Sequence, residues 1–535
     1  MIDQPSSKPL WISVKGAFNK WRIAFLVLAL TYFVFIMLNL TKQPMNWDEV
    51  GHLNRALELQ NGFYNNFVRD SFYPPLFSIF TKVSFDLFGA SLFSARLVSA
   101  VFSILSLWVV FESAYTMYGK KAALLSAFLL AVMPGYFWLS RLALLEVMLV
   151  FFFMLSLFLF FRWLNSRKNW LLVLSGLALG LGFLTKYQVI AVVPVMFAVV
   201  LVLGWGQLKR LFSRVTLLII TAIAVIIPWL VIVYNVLSSY VFSQWIYALQ
   251  MGNPERSLYS LRFPTPIFYL VEMTWPYVDV HPISLLLYIV GLAGLGMFFW
   301  RRKGEDKFVL VWFICVFVFF TVISNREWRY VLTLFPALAI SASVLILFVY
   351  DKLHVTWVNG VSVNRKKSAK VAAGLLIVFL SIAVAYSVND IYYNVRQTDI
   401  NIEIANATNY ALAGDASNQS IVLLCPFNYF SQDMVSFYLT ANGNSQIKTY
   451  QYPRLAVDTY TPIFNITEFI DLCRQNNVKY VFTYEYGGTV PYFNTTLNLE
   501  QIYIQLYASG NFSGITNEAT FGSNPRRIFI LSFIG

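Results

Sequence analysis

Two adjacent carboxylates, Asp48 and Glu49, stand in the stretch PMNWDEVGHLNRALEL, residues 44–59, directly after an apolar run from Arg22 to Leu40. A carboxylate at a membrane surface can take the proton of an attacking hydroxyl, so the pair suits general acid–base chemistry. Helical spacing sorts the neighbours: Val50, Leu53 and Leu57 form an apolar stripe, while Asp48, His52 and Arg55 share the opposite face at intervals of four and three. The segment reads as an amphipathic helix on the outer leaflet. Asp48 has a plainer use there too, as a helix cap or an ion-pair partner of His52 or Arg55.

Competing chemistries find little in the chain. DEVGH lacks the first histidine of a zinc-protease motif, and of only three histidines His354 falls on the inner side. No cofactor is indicated; a divalent metal is compatible with the residues, but none marks a site for it. No serine or cysteine nucleophile motif occurs. Gly176, Gly180 and Gly182 sit inside an apolar run, where close helix packing explains them better than a phosphate loop. The ionisable groups gather at the ends of the apolar runs rather than along their interiors, which weighs against an ion or proton pump.

These residues are carried by a membrane chain. Of 535 residues 58% are hydrophobic and 12% charged, and repeated apolar runs approach the roughly 20 residues a helix needs to cross a bilayer. Spans are expected near 22–40, 92–116, 121–138, 143–163, 170–184, 187–205, 214–236, 282–300, 308–323, 330–350 and 371–388, about eleven in all. The first run follows four basic residues with no small-residue cleavage site after it, and so reads as an uncleaved anchor with a cytoplasmic N-terminus. The inner segments so defined hold 21 of the 39 basic residues and 5 of the 26 acidic ones. The net charge of +13 is therefore an inner-face membrane signal rather than a nucleic-acid footprint. The same parity keeps PPLFSIFTKVSFDLFGA, with Lys82 and Asp86, in the outer interface, and makes 170–205 cross twice with a turn at LTKYQ. The aromatic, proline-broken loop 237–281 reads as partly interfacial.

Beyond Val388 the long apolar runs stop. Strand-like SIVLLC, QIKTY, VKYVFTY and RRIFILSF alternate with helix-like DMVSFYLTA and ITEFIDLCRQN, which predicts a small α/β domain with a mainly parallel sheet over 391–535, outside the membrane domain of 1–390. Five sequons, at Asn406, Asn418, Asn465, Asn494 and Asn511, fall there, as expected of an outward-facing surface that could be glycosylated, although an Asn- and Thr-rich segment also produces sequons by chance. Cys425 and Cys473 share the domain, without a spacing framework that would pair them.

In order along the chain come the acidic pair, YPPL, LFSARLVSAVFSILSL, RLALLEVMLVFFF, GLALGLGFLTKYQ and NREWRYVLTLFPALA. Over about residues 20–350 this set resembles the GT-C membrane glycosyltransferases, in the branch of protein mannosyltransferases and aminoarabinose transferases often called glycosyltransferase family 39. The resemblance implies transfer of a sugar from a polyprenyl-phosphate donor to a protein or glycolipid acceptor on the outer face of the cell membrane, with inversion. It implies Asp48 as base, Glu49 as a neighbour shaping its field or taking its place, and Glu146 as a second acid. Lys186, Arg326 and Arg329 would hold the leaving phosphate, and His52, Arg55, Tyr73 and Arg141 would contact substrate. Glu146 could instead pair with Arg141, and Arg326 and Arg329 could anchor headgroups. A polyprenyl-phosphate carrier or flippase would use the same handles without a base.

Overall fold

The computed structural model describes residues 19–535 apart from 71–72, 205–207, 251–261, 276–280, 360–361, 396–399, 414–418, 425–429, 454–463, 487–488, 493–494, 514–519 and 522–525. The expected Cys425–Cys473 question and the sequons at Asn418 and Asn494 therefore lie outside the described residues, as does part of the loop 237–281.

Helices come first: α1 Lys20–Met37, α2 Trp47–Gln60, α3 Tyr64–Arg69, α4 Leu76–Phe88, α5 Leu92–Tyr118, α6 Lys120–Ala131, α7 Pro134–Leu139, α8 Glu146–Ser166 and α9 Trp170–Thr185. A 3-10 turn at Tyr187–Ala191 leads into α10 Val192–Gly204, then α11 Leu208–Leu237, α12 Tyr240–Gln250, α13 Phe268–Glu272, α14 Leu285–Arg301 and α15 Gly304–Val322. A second 3-10 segment, Trp328–Leu334, opens α16 Phe335–Asn359, and α17 Val363–Val395 follows.

Among the described residues six helices are long and apolar enough to cross a membrane: α1, α5, α8, Ser213–Leu237 of α11, Trp328–Asn359 and Val363–Tyr393 of α17. The other five expected spans fall on α6 with α7, on α9, on Tyr187–Leu203, on α14 and on α15. These are shorter or, in α15, open on Glu305, Asp306 and Lys307. The α6–α7 break at Val132–Met133 precedes Pro134, which starts a new helix because it has no N–H to continue the old one. Burial separates centre from rim: the apolar windows of α8 and of Trp328–Asn359 are 72% and 83% buried, those of α11 and α17 only 17%. The rim helices show leucine, isoleucine and valine outward, the surface that lipid rather than water solvates.

Close approach of α9 to α11 depends on glycine. A Cβ on Gly180 would lie 2.7 Å from Val225, and one on Gly176 would strike the Leu218 carbonyl, so the glycines are packing residues. The 13-residue α4 reaches about 20 Å, too short to span. It buries Phe77, Thr81 and Phe85 and exposes Ile79, Val83 and Leu87.

The C-terminal unit comprises α18 Ile400–Ala413, β1 Ser420–Leu424, α19 Gln432–Ala441, β2 Thr449–Tyr452, α20 Ile466–Gln475, β3 Val478–Tyr486, β4 Thr489–Tyr492, β5 Thr495–Asn498, α21 Leu499–Ala508, β6 Phe512–Ser513, β7 Thr520–Phe521 and β8 Arg526–Phe533. All four expected strand segments contribute to the sheet, but the sheet is mixed rather than mainly parallel. β1 runs parallel to β2 and β3, joined by helical crossovers, whereas the chain leaves β3 through a hairpin into β4 and β5, and β8 returns antiparallel along Tyr480–Tyr486. This unit rests on α2 and α4: Val50, Leu53, Phe77 and Phe85 share one apolar core with Phe430, Met434 and Phe437. Asn54 Nδ2 donates to the Asp433 carbonyl at 3.1 Å across the same junction.

Candidate active site

The helix α2 begins where Asn46 caps it, its Oδ1 accepting the Glu49 N–H at 2.8 Å, with Asp48 and Glu49 in the first turn beside the positive end of the helix dipole. One turn turns the two carboxylates in different directions. Glu49 is fully buried and takes the Arg96 guanidinium in a fork of 2.7 and 2.8 Å, while its Oε1 also accepts the Ala143 N–H at 2.7 Å. Asp48 opens instead into a cavity of about 450 Å³, with 38% of its side chain exposed.

Four charged residues from four elements meet at this cavity: Asp48 of α2, Glu146 at the start of α8, Lys186 at the end of α9 and Arg329 of the 3-10 segment before α16. Arg329 Nη2 lies 2.5 Å from Asp48 Oδ2, its Nη1 3.6 Å from Glu146 Oε1 and its Nε 2.6 Å from Glu327 Oε2. Lys186 Nζ lies 2.8 Å from Glu146 Oε1 and 5.1 Å from the centre of the Tyr330 ring. Burial works to raise the Asp48 carboxyl, but the charge and hydrogen bond of Arg329 outweigh it and hold the group below its ordinary value. Asp48 is therefore ionised at neutral pH. His52, one turn on, also lines the cavity, edge-on to Tyr73 at 4.6 Å. Burial first, and then the charge of Arg55, push its imidazole down to about 3, so it is neutral.

The rest of the wall is largely apolar, shared between the aromatic Tyr73, Phe183, Tyr187, Trp245, Phe320 and Tyr330 and the aliphatic Leu144, Leu145, Ile190, Leu249 and Ile323, with Gln188 and Asn325 as polar exceptions. A concave site with an apolar wall and a small convergent set of charges suits a ligand with a greasy portion and an anionic group. Glu327, Tyr187, Gln188, Trp245, Asn325 and Tyr330 did not stand out in the sequence as site residues. Glu327 and Tyr330 flank Arg329 in NREWRY, the one signal that pointed to them.

Three expected substrate contacts are placed elsewhere. Arg141 is buried, and its guanidinium donates to the carbonyls of Phe35, Ile36, Leu38 and Asn39 at 2.5–3.3 Å and to Gln43 Oε1 at 3.2 Å. It satisfies the carbonyls that the end of α1 leaves without helical partners. Glu146 accordingly pairs with Lys186 and Arg329 rather than with Arg141. Arg55 donates to the carbonyls of Phe67 and Tyr73 at 3.4 and 3.0 Å, fixing the segment that brings Tyr73 to the cavity. Arg326 lies beside the cavity without lining it, and its Nε donates to the Thr321 carbonyl at 3.3 Å.

The loop before α2 is held from three sides. Besides Arg141, Arg96 Nη1 donates to the carbonyls of Leu40 and Gln43 at 2.6 and 2.9 Å. From the C-terminal unit, Asn401 Nδ2 donates to those of Thr41 and Gln43 at 2.6 and 2.7 Å while its Oδ1 accepts the Met45 N–H at 2.9 Å. The site of Asp48 is thus set by α5, by the turn after α7 and by α18 together.

Residues 73–232 match the family of dolichyl-phosphate-mannose-protein mannosyltransferases. An undecaprenyl phosphate-alpha-4-amino-4-deoxy-L-arabinose arabinosyl transferase of Proteus mirabilis is 24% identical over 71% of this chain and 68% of its own length. A second such transferase, from Pectobacterium atrosepticum, is 25% identical over 56% of this chain, which spans about half (52%) of that relative. Among solved structures, ArnT from Cupriavidus metallidurans superposes with a TM-score of 0.58 at 16% identity, covering 96% of this chain and 97% of that one. The Archaeoglobus fulgidus oligosaccharyltransferase gives 0.56 at 14% identity, over 88% and 70% of the two chains. Fold, ordered motifs and relatives agree: the chain is a multi-pass membrane protein with the fold of ArnT and the archaeal oligosaccharyltransferase, similar in sequence to the aminoarabinose transferases and the protein mannosyltransferase family.

Proposed function

We propose that the chain transfers a sugar from a polyprenyl-phosphate donor to a hydroxyl of a protein or glycolipid acceptor on the outer face of the membrane. The carrying observation is the convergence of Asp48, Glu146, Lys186 and Arg329 on one apolar-walled cavity. Support for the donor class comes from the similar ArnT from Cupriavidus metallidurans, whose solved structures include one bound to undecaprenyl phosphate.

In this reading the acceptor oxygen attacks the anomeric carbon from the face opposite the phosphate, Asp48 takes its proton, and the carbon–oxygen bond to phosphate breaks with inversion. The charge left on the phosphate falls to Lys186 and to Arg329, whose planar fork suits two phosphate oxygens. Glu146 orients the two cations, Glu327 sets the angle of the guanidinium, and neutral His52 and Tyr73 meet sugar or acceptor hydroxyls. Glu49 and Arg141 act through the scaffold, fixing the start of α2. We further propose eleven crossings with a cytoplasmic N-terminus, a membrane domain of 1–390 and an extracytoplasmic domain of 391–535, on the strength of the basic-residue asymmetry.

The test is incubation of purified protein with labelled polyprenyl-phosphate sugars and a membrane acceptor fraction. Label should move to the acceptor with the parent chain and stay on the lipid with Asp48→Asn, which still binds donor. Movement of donor across a bilayer that survives Asp48→Asn, without transfer, would select the flippase reading.

A further inference from the structure

We infer a second lipid site, for one anionic phospholipid, at the opposite end of the membrane domain from the cavity. The 18-residue α1 is about 27 Å long, close to a bilayer core, so Lys20 lies a membrane's thickness away from the end that leads to Asp48. At the Lys20 end, α1, α6 and α16 leave a groove of about 490 Å³. Its wall is made by Ala24, Val27, Leu28, Leu124, Phe128 and Leu347, with Trp21 and Lys121 at the mouth.

Around Trp21, beside the mouth, stand donors that lack an acceptor among the described residues. Lys20 Nζ and Lys120 Nζ each lie 5.9 Å from the centre of the Trp21 ring. The Trp21 Nε1–H is buried and has no hydrogen-bond partner among the described residues. Nearby cations are already matched: Lys121 Nζ is 4.0 Å from Asp351, and Arg22 is 3.0 Å from Glu112. Among the described residues no carboxylate pairs with Lys20 or Lys120. An orphaned indole N–H with two ammonium groups near its ring calls for an acceptor carrying negative charge. A groove walled only by hydrocarbon below that point calls for an acyl chain.

A phospholipid phosphate supplies both at the right depth, since headgroup and chain are joined where the lysines and the apolar wall meet. Net negative charge distinguishes the ligand: a zwitterionic lipid brings its own ammonium to the phosphate and gains less from two lysines. The site is separate from donor binding, because none of its residues lines the cavity of Asp48.

The experiment titrates the purified full chain with phosphatidylglycerol and with phosphatidylcholine of identical acyl chains, reading bound lipid by native mass spectrometry and melting temperature in parallel. Each lysine facing an anionic headgroup is worth about fivefold in affinity, so two give roughly a 25-fold preference for phosphatidylglycerol, saturating at one lipid. The double variant Lys20→Gln, Lys120→Gln, on two exposed side chains, should bind the two lipids alike. Leu28→Trp, which fills the groove with the lysines intact, should lose the bound lipid. Equal binding of both lipids by the parent assigns the groove to an uncharged chain or a protein segment and overturns the inference. A preference for phosphatidylglycerol that persists in the double variant overturns it as well.

Discussion

Arg329→Lys keeps the positive charge and removes the fork, which makes it the sharpest probe of the cavity. Arg329 spreads three nitrogens over three carboxylates, at 2.5 Å from Asp48, 2.6 Å from Glu327 and 3.6 Å from Glu146. A lysine ammonium at the same place reaches one of these well and has no plane to present to a phosphate. If the guanidinium meets the donor phosphate in two hydrogen bonds, the variant keeps one. A charge-assisted hydrogen bond contributes about 1.5–3 kcal/mol, so kcat/KM should fall roughly 10- to 150-fold. The assay is the initial rate of label transfer at donor well below KM, with folded yield and melting temperature as controls. Transfer within about threefold of the parent would refute the phosphate clamp and leave Arg329 as a headgroup anchor.

Asp48→Asn should lower kcat by about 100-fold or more with donor binding unchanged, since a general base contributes about 10²–10⁴; equilibrium binding of labelled donor beside the rate measurement checks both halves. Because Asp48 is held below its ordinary value, kcat/KM should stay level as pH falls through the usual carboxylate range and decline only below it. In Arg329→Gln that acid limb should move to higher pH, and an unmoved limb would show that another group sets it. Glu49→Gln leaves Arg96 buried without its counter-charge and should cost about 3–5 kcal/mol, seen as lost folded yield, while turnover per folded molecule survives; a stable but inactive variant would return Glu49 to the chemistry. Protease added to intact cells should cut within 391–535 and spare the NRKK loop, and the reverse pattern would invert the proposed topology.

Much of the membrane architecture was legible because lipid imposes its pattern on the sequence. A rim helix such as α17 must be apolar all round, and a helix end such as LTKYQ must carry the first polar groups after the run. The placing of Lys186, Arg326 and Arg329 at one level, on the same side as Asp48, followed from where charge interrupted those runs. That Lys186 and Arg329 share a cavity with Asp48 while Arg326 stays outside it did not, since side chains at one depth can point to any of several sides. The sheet shows a similar boundary: the strands were readable from their β-branched and aromatic runs, but the direction of β8 depends on how the chain leaves β3. The hairpin into β4 did have a sequence mark, the Gly-Gly pair of YEYGGTV, which the reading of the strands alone leaves unused.

The placement of Arg141 and Glu49 went unread for a physical reason. An outer-face arginine beside a carboxylate looks the same in sequence whether it binds a phosphate, a headgroup or a backbone. What selects among these is the supply of unpaired carbonyls, and α1 stops at Met37 with several to offer. Arg141 collects those of Phe35, Ile36 and Leu38 and shares that of Asn39 with the Lys42 N–H, and Arg96 takes those of Leu40 and Gln43 while its fork holds Glu49. An ammonium could not serve so many acceptors in one plane, so lysine is a poor substitute at either position. Lys186, by contrast, needs only to place a compact charge against Glu146 at the cavity edge. The division of labour follows from headgroup shape: planar guanidinium groups lock the backbone that carries Asp48, and Arg329 alone among them turns its fork into the cavity, where three carboxylates hold it.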